Sequence, residues 1–406
     1  MGNLAITAMA QSAASILGGS SQVKRVGVIG GGQLAWMMAA GAQKLGLELY
    51  IQTPSADDPA CAIASSVFLG AVDDAAVTAA MAAQCDVITF ENEFVDLAAL
   101  RKLEQQGAAF YPQLNALTSL LDKYEQRQYC EAIGLPSLPF TTLEGECDRS
   151  LLKEKIEKIG LPLVLKTRRH GYDGQGTFVL RSLAEVEQTW LRLSYQPILL
   201  EAFVAFEKEL AVMVARSLSG EVAVYPVVET VQVDQVCRRV IAPARVDQAV
   251  LQQVQHLATA LINHLGAVGV FGIELFLTRT GSILVNEIAP RAHNSGHYTL
   301  NACQTSQFEQ QLRALSDRPL GSVALTVPKA VMVNLLGTED SAHNDCDCME
   351  KRQAIANIPN AIVHWYGKKQ SRIGRKMGHA TALLDHQSHD DAIDQIIHQI
   401  EKIWYG

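Results

Sequence analysis

Two glutamates in one predicted β-hairpin have the types and spacing to hold a divalent cation. The segment FGIELFLTRTGSILVNEIAPR predicts two strands, and if Thr280 and Gly281 form a two-residue turn, Glu274 lies opposite Glu287. Directly opposed like charges repel across a sheet. A bridging cation removes that penalty, and Mg²⁺ commonly takes one or two carboxylates plus phosphate oxygens. A longer turn would shift the register, and a solvated glutamate pair is the alternative.

A lysine followed by a glycine-rich loop forms a second candidate site. In LPLVLKTRRHGYDGQGTFVL, Lys166 ends an apolar strand, and Gly171, Gly174 and Gly176 precede the next strand. A lysine in a strand is costly unless it meets an anion, and glycines let the backbone approach phosphates closely. The segment lacks the Gly-Lys-Ser/Thr ending of a Walker A motif. A flexible hairpin with a solvated lysine is the alternative interpretation.

A glycine-rich turn also follows the first predicted strand. Gly30, Gly32 and Ala35 satisfy G-x-G-x-x-A, a pattern in which a helix N-terminus receives a phosphate. A dinucleotide site would add Asp or Glu about 20 residues on, but the second strand ends in Gln52 and Thr53. The pattern therefore favours a phosphate or anion site over NAD, with a purely structural tight turn as the alternative.

Five cations lie within nine residues near the end of the chain: Lys368, Lys369, Arg372, Arg375 and Lys376. Such local enrichment suits a phosphorylated small molecule, with a solvated basic loop as the alternative. The segment PRAHNSGHYT directly follows the acidic hairpin. Its Arg291, His293, Asn294 and His297 could line the same pocket, although histidines are also ordinary surface residues.

The elements that position these residues divide the 406-residue chain into two or three domains. RVGVIG, a helix over residues 31–46 and LELYIQ make a βαβ opening, and a parallel α/β unit extends to about Pro112. Short strands with turn signals fill residues 122–319 and predict antiparallel sheet. We therefore expect an extension over residues 1–23, domains over 24–121 and 122–319, and a small C-terminal domain over 320–406.

Composition excludes several classes of protein. Lys and Arg number 34 against 42 Asp and Glu, so the net charge of −8 makes nucleic acid a poor partner. No apolar run approaches the roughly 18 residues of a membrane span.

Eight scattered cysteines fit a reduced cytoplasmic setting. Only Cys346 and Cys348, with His343 nearby, hint weakly at a metal. The first 22 residues lack Lys and Arg, so the basic start of a secretory signal is absent.

With these residues in place, the chain resembles the ATP-grasp enzymes, and among them the 5-(carboxyamino)imidazole ribonucleotide synthase family. The resemblance covers residues 24–404 and rests on VIGGGQLAWMM, TFENE, KTRRHGYDGQGT, NEIAPRAHNSGHYT and HWYGKKQSRIGRKMGH. It implies a mixed α/β and α+β architecture. An N-terminal Rossmann-like domain would precede the ATP-grasp fold, and a small C-terminal domain would follow it.

The resemblance also implies roles for individual residues. Those toward ATP are Lys123, Lys166, Gly171, Tyr172, Asp173, Gly174, Gln175, Gly176, Thr177, Glu201, Ala202, Phe203, Val204, Glu209, Gln232, Asn286 and Glu287. Those toward the ribonucleotide are Gly32, Gln33, Leu34, Asp173, Lys368, Arg375 and Lys376. Glu274 and Glu287 would bind Mg²⁺ or Mn²⁺. Lys166, Asp173, Arg291, His293 and Asn294 would serve the reaction itself, with His293 a candidate base.

The implied reaction joins bicarbonate to 5-aminoimidazole ribonucleotide at the expense of ATP, without biotin, in a cytoplasmic homodimer that needs neither nucleic acid nor membrane. Lys123 departs from the family's frequent Arg, Ala35 from Gly and Gln232 from His. The alternatives are formate-dependent glycinamide ribonucleotide formylation, a biotin carboxylase, an NAD-binding oxidoreductase, and a catalytically inactive nucleotide sensor.

Overall fold

The computed structural model describes residues 23–169, 171, 175–340, 346–385 and 390–406. A four-stranded parallel sheet opens the fold, in the order β3-β2-β1-β4. Apolar β1 and β4 are buried because helices cover a parallel sheet. This confirms the predicted parallel unit. Its strands are β1 (Arg25–Ile29), β2 (Glu48–Thr53), β3 (Ser66–Leu69) and β4 (Val87–Phe90).

The helices of this unit are short. They are α1 (Gln33–Trp36), α2 (Ala39–Leu45), α3 (Ala75–Ala82), α4 (Leu97–Gln105) and α5 (Leu114–Thr118). The prediction of one helix over residues 31–46 was wrong, since it divides between α1 and α2. The N–H of Met38 bonds to the carbonyl of Ala35, three residues back, at 3.1 Å. Such a tight turn closes α1 before α2 begins.

A small antiparallel sheet follows, in the order β5-β8-β6-β7. Its buried apolar side chains, such as Leu165, form one core with side chains of the two helices that follow β5 and β7, such as Trp190. The elements of this region are α6 (Lys123–Ala132), β5 (Phe140–Leu143), α7 (Leu152–Ile159), β6 (Leu163–Thr167), β7 (Thr177–Leu180), α8 (Leu183–Arg192) and β8 (Ile198–Ala202).

A long sheet carries the rest of the chain, in the order β14-β13-β9-β11-β12-β15-β17-β16, with β10 paired to β9. Its middle elements are β9 (Phe206–Arg216), β10 (Val222–Val224), β11 (Val228–Val233), β12 (Val236–Ala242), α9 (Gln248–Leu265), β13 (Gly269–Thr278), β14 (Ile283–Ala289), α10 (Thr299–Ala302) and α11 (Gln307–Leu315). The C-terminal elements are β15 (Lys329–Leu336), α12 (Cys346–Ala356), β16 (Ala361–Trp365), β17 (Lys376–Leu384) and α13 (Asp390–Tyr405).

The C-terminal strands extend the middle region's sheet through the β12–β15 pairing. They nevertheless have a core of their own, in which Ile355 of α12 and Ile397 and Trp404 of α13 are buried. Across the described ranges, no helix combines the length and apolarity needed to cross a bilayer. Cys61, Cys85, Cys130, Cys147 and Cys303 are not in disulfides. His343 and the side chain of Cys346 lie outside the described residues.

Candidate active site

A cavity of about 1230 Å³ opens where the three sheets meet. Small-molecule pockets are typically about 300–1000 Å³, so this one has room for more than one ligand. One wall is formed by segments that follow β1 and β4, at the carboxyl edge of the parallel sheet, where α/β folds bind ligands. The other walls come from the small sheet, from β9, β11, β13 and β14, and from Lys376 at the start of β17.

The two glutamates face each other across β13 and β14, as the sequence predicted. The two-residue turn on which that prediction depended, however, is not formed. Leu277 pairs with Ile283, and the Thr278 N–H donates to the Ser282 carbonyl. The loop between these two residues therefore has three residues, 279–281. If this register continued along both strands, the two glutamates would not lie opposite each other. A bulge between Val285 and Glu287 shifts the pairing by one residue and places Glu274 opposite Glu287.

Lysine 123 neutralises one of these carboxylates. Its Nζ lies 2.8 Å from Glu287 Oε2, and it occupies the first turn of α6 because Asp122 caps that helix. Burial opposes ionisation of Glu287, but the attraction of Lys123 prevails and lowers its pKa to about 2. Burial and repulsion from Glu287 raise the pKa of Glu274 to about 7. One glutamate is therefore firmly ionised, and the other titrates near neutrality.

Lysine 166 meets its anion inside the protein. Its Nζ lies 2.7 Å from Glu201 Oε2 and donates to Asn286 Oδ1 at 3.1 Å. Burial lowers the pKa of Lys166, while Glu201 opposes that shift. The guanidinium of Arg127 holds the other oxygen of Glu201. Burial alone would raise the pKa of Glu201, but these two cations lower it to about 2.

The remaining nucleotide candidates divide into three sets. Ala202, Phe203, Val204, Glu209 and Gln232 line the cavity with Gly171 and Thr177. Gln175 and Gly176 form the base of the glycine-rich loop, where the carbonyl of Gly176 accepts from the Thr167 N–H at 2.8 Å. Tyr172, Asp173 and Gly174 lie outside the described residues. Glu201 lines the cavity too, but its carboxylate is already held by two cations.

The glycine turn after β1 faces a carboxylate that sequence reasoning missed. The Leu34 N–H donates to Glu91 Oε1 at 3.4 Å, and a side chain at Gly32 would collide with the same oxygen. Gln33 and Leu34 line the cavity, whereas Gly32 is not part of its lining. Burial raises the pKa of Glu91, with Arg291 opposing the shift. The signal available was position, since Glu91 directly follows the buried strand β4.

Arg291, His293 and Asn294 also line the cavity. Arg291 Nε lies 3.1 Å from Glu93 Oε1, and His293 Nε2 lies 3.6 Å from Glu274 Oε1. The ring Nδ1 of His293 shares a 2.9 Å hydrogen bond with Ser295. The Asn294 amide is engaged elsewhere, because it exchanges two hydrogen bonds of 3.0 and 2.7 Å with Asn334.

The basic segment approaches the cavity from the C-terminal region. Lys376 is buried and lines the cavity, and its carbonyl accepts from Lys368 Nζ at 2.8 Å. Arg375 lies beside it, with Nη1 donating to the Gln370 carbonyl at 2.8 Å. The structure therefore places Lys376 in the wall and Lys368 and Arg375 next to it.

Glutamine 52 is not placed to bind a ribose. Its Nε2 donates to the carbonyl of Ala71 at 2.7 Å, and its Oε1 accepts from Thr78 at 2.7 Å, all within the core. The end of β2 thus offers no carboxylate to a dinucleotide.

Comparisons with known families agree with this architecture. Residues 23–120 match the ribonucleotide synthetase preATP-grasp domain, residues 128–308 the ATP-grasp domain, and residues 330–393 the phosphoribosylaminoimidazole carboxylase C-terminal domain. Fold and site therefore define an ATP-grasp ligase, as predicted.

Curated relatives and solved structures narrow the class further. The chain is 53% identical over 387 residues to the N5-carboxyaminoimidazole ribonucleotide synthase of Synechococcus elongatus, covering 95% of this chain and 96% of the relative. Its fold matches the enzyme of Aspergillus clavatus in complex with ADP and 5-aminoimidazole ribonucleotide, with a TM-score of 0.85, 32% identity, and coverage of 94% of this chain and 99% of the other. The chain belongs to the N5-carboxyaminoimidazole ribonucleotide synthase family.

Proposed function

We propose that this protein converts ATP, bicarbonate and 5-aminoimidazole ribonucleotide into ADP, phosphate and the N-carboxylated ribonucleotide, a step of purine biosynthesis. The observation that carries this proposal is that one cavity holds both halves of such a site. Lys123, Lys166 and the opposed glutamates form one half. The turn at Gln33, with Glu91 and Lys376, forms the other.

The nucleotide belongs with the small sheet. Lys123 and Lys166 suit its phosphates, and the loop of residues 171–177 would cover them. Phe203 and Val204 line the wall beyond β8, where a base would pack, and Glu209 and Gln232 face the same space. Since the Glu201 carboxylate is held by Arg127 and Lys166, we assign any contact of Glu201 with the base to its main chain.

The residues fit a divalent cation, for which we propose Mg²⁺ or Mn²⁺. Glu274 and Glu287 oppose each other, and repulsion between them is part of what raises the pKa of Glu274. Among the described residues, no group of three or more acidic, His or Cys side chains could hold a metal alone. Mg²⁺ prefers a coordination shell in which one or two carboxylates are joined by phosphate oxygens of a nucleotide. The bound cation would neutralise phosphate charge.

The remaining groups serve the anions and the transfer. A bicarbonate oxygen attacks the γ-phosphorus, ADP leaves, and carboxyphosphate forms. The amine of the ribonucleotide then attacks the carboxyl carbon, directly or through released CO₂, and phosphate departs with an oxygen that came from bicarbonate. Lys166 and Arg291, which line the cavity, would stabilise this negative charge. His293 is a candidate acceptor of the amine proton, and Asn294 would position the segment through Asn334.

The ribonucleotide phosphate would bind to Lys368, Arg375 and Lys376, because charge-assisted contacts favour such a group. Gly32, Gln33 and Leu34, with Asp173, would hold its other end. From the family resemblance we also propose a cytoplasmic homodimer without biotin. We propose domains over residues 24–121, 122–319 and 320–406, preceded by an extension.

Isotope transfer tests this route. With bicarbonate carrying ¹⁸O, the proposed sequence delivers one labelled oxygen to the phosphate released in each turnover. Phosphate without label, formed while the ribonucleotide is carboxylated, would contradict attack by bicarbonate on the γ-phosphate. Phosphate formed without any carboxylated ribonucleotide would contradict the proposed acceptor.

A further inference from the structure

Strand β14, which carries Glu287, forms an edge of the long sheet. The backbone groups on an outer edge need partners from elsewhere when they are buried. Within the described part of the chain, the outer side of β14 meets another backbone segment only around Val285, which bridges to Ser137. On either side of Glu287, side chains of helix α6 take over that role.

Glutamine 126 replaces a neighbouring strand at Ile288. Its Oε1 accepts from the Ile288 N–H at 2.8 Å, and its Nε2 donates to the Ile288 carbonyl at 2.9 Å. Nε2 also donates to the Leu120 carbonyl at 3.1 Å. The orientation of the amide is fixed, because a backbone N–H can only donate and the two carbonyls can only accept. The side chain is only 3% exposed.

Arginine 127 performs the same task at Asn286. Its Nη2 donates to the Asn286 carbonyl at 2.5 Å, and its Nε pairs with Glu201. Glu201 in turn pairs with Lys166, whose Nζ donates to the side chain of Asn286. Arg127 thus closes a ring of contacts that joins β14 to strands β6 and β8 of the small sheet. It is 2% exposed.

One of these contacts is made at the bulged residue Asn286 and the other at Ile288, so together they flank Glu287. A slip of one residue would carry Glu287 to the opposite face of the sheet. Like charges at Glu274 and Glu287 favour such separation. Lys123, Gln126 and Arg127 lie three and four residues apart, on one face of α6, so a single helix contacts Glu287 and both of its neighbours.

We propose that Gln126 and Arg127 are positioning residues that hold residues 286–288 in the bulged register and thereby couple cation binding to nucleotide binding. The consequence for the cation rests on the proposed function. Both residues bond to the main chain of β14; Gln126 also lines the cavity wall, and Arg127 also holds Glu201. Their loss should weaken the metal-dependent part of nucleotide binding more than binding itself.

The test uses Gln126→Met, which keeps the size of the side chain and removes its hydrogen bonds, with Gln128→Met as the matched control. Gln128 is exposed, two positions further along the same helix. Hydrogen exchange of the full-length protein without ligands measures how firmly residues 284–289 are held. Calorimetric titration with ADP, in EDTA and then in Mg²⁺, measures the coupling.

We expect Gln126→Met to exchange at least tenfold faster at Ile288 and to lose at least tenfold of the Mg²⁺-dependent gain in ADP affinity. Its affinity for ADP in EDTA should stay within about threefold of wild type, as should every value for Gln128→Met. Unchanged exchange at Ile288, or an unchanged gain with Mg²⁺, would overturn the proposal. An equal loss of ADP affinity with and without Mg²⁺ would indicate a purely structural role and would also overturn it.

A second variant covers the case in which Gln126→Met does not fold. Arg127→Lys keeps the charge but cannot bond to Glu201 and to the Asn286 carbonyl with the geometry of a guanidinium. Exchange at residues 284–289 and the Mg²⁺-dependent gain in ADP affinity then decide, whereas affinity in EDTA is not a criterion for this variant, because Arg127 also holds Glu201, which pairs with Lys166. If the ADP affinity of the wild-type protein does not change with Mg²⁺, both the proposed metal site and the coupling are contradicted. The exchange result would still decide whether the two residues hold the bulge.

Discussion

Glu274 and Glu287 stand opposite each other on neighbouring antiparallel strands, with Lys123 bonded to one of them and His293 near the other. Burial, together with repulsion from Glu287, raises the pKa of Glu274 to about 7, whereas burial of Glu287 is outweighed by Lys123, which lowers its pKa to about 2. Glu287 is therefore ionised near neutral pH, whereas Glu274 gains a proton there. A cation that binds between the two carboxylates would replace that proton.

Replacing Glu287 with glutamine should abolish turnover and leave the fold intact. The change removes a proposed cation ligand, and metal-ion stabilisation of transition-state charge is worth several kcal/mol, so phosphate release should fall by about 100-fold or more. The substitution also removes the repulsion between residue 287 and Glu274. The stability gained in this way offsets the stability lost with the Lys123 contact. Phosphate release and thermal unfolding measure the two effects. Glu157→Gln, on the exposed side of α7, is the control. Near-normal turnover would refute the metal assignment.

Cation binding should strengthen as the pH rises from 6 to 8. With the pKa of Glu274 raised to about 7, this carboxyl is mostly protonated at the lower pH and mostly ionised at the higher one, so Mg²⁺ affinity in the presence of ADP should gain about tenfold. Titration calorimetry at several pH values measures the gain. Glu274→Gln should bind Mg²⁺ weakly and lose this pH dependence; a variant that keeps the wild-type profile would assign the titration to another group.

Gly272 provides the space behind His293. A Cβ at this position would lie 2.5 Å from His293 Cβ and 3.0 Å from Met213 Cε, so Gly272→Ala must displace the histidine. We expect a loss of turnover and a fall in stability of about 1–3 kcal/mol, as for other overpacked cores. Gly145→Ala is the control, because its Cβ would meet only the Tyr195 carbonyl oxygen, at 3.9 Å. Steady-state kinetics and thermal melts of both variants measure these two effects. Wild-type kinetics in Gly272→Ala would contradict a role of His293 in the reaction.

Truncating Arg375 should affect one substrate only. Loss of a charge-assisted contact to phosphate costs about 1.5–3 kcal/mol, so Arg375→Ala should raise the KM for the ribonucleotide at least tenfold. The KM for ATP should change little, because the nucleotide half of the cavity lies beside β6 and β8. Arg279→Ala, at the exposed β13–β14 loop, serves as the control. Equal effects on both substrates would refute the phosphate contact.

Local patterns were sufficient for most of the strands and for the residues at their ends, but strands β3, β5, β12 and β17 were not predicted. Lys166 could be placed because it ends an apolar run, and the glutamate pair because both flanking segments are strand-like. The length of the loop between the two strands, however, was not predictable in this way. The loop is longer than predicted, and the bulge at Asn286 compensates for it, which no spacing rule for the turn could reveal.

Contacts between distant parts of the chain were not predictable. Arg127 meets Glu201 and Asn286, which are 74 and 159 positions away, and nothing around Arg127 in the sequence marks it as buried. For the same reason, the Lys166 ammonium was expected to need a ligand anion, whereas an internal glutamate already pairs with it. Likewise the glycine turn was assigned to an external anion, and Glu91 faces it instead.

The most direct test of the central claim is phosphate release from Mg²⁺-ATP and bicarbonate, measured with and without 5-aminoimidazole ribonucleotide. Both halves of the cavity must be filled for the proposed reaction, so we predict strong stimulation by the ribonucleotide and one phosphate for each carboxylated product. Absence of stimulation, in protein that binds ATP, would contradict the proposed acceptor and direct the next trial to glycinamide ribonucleotide with formate.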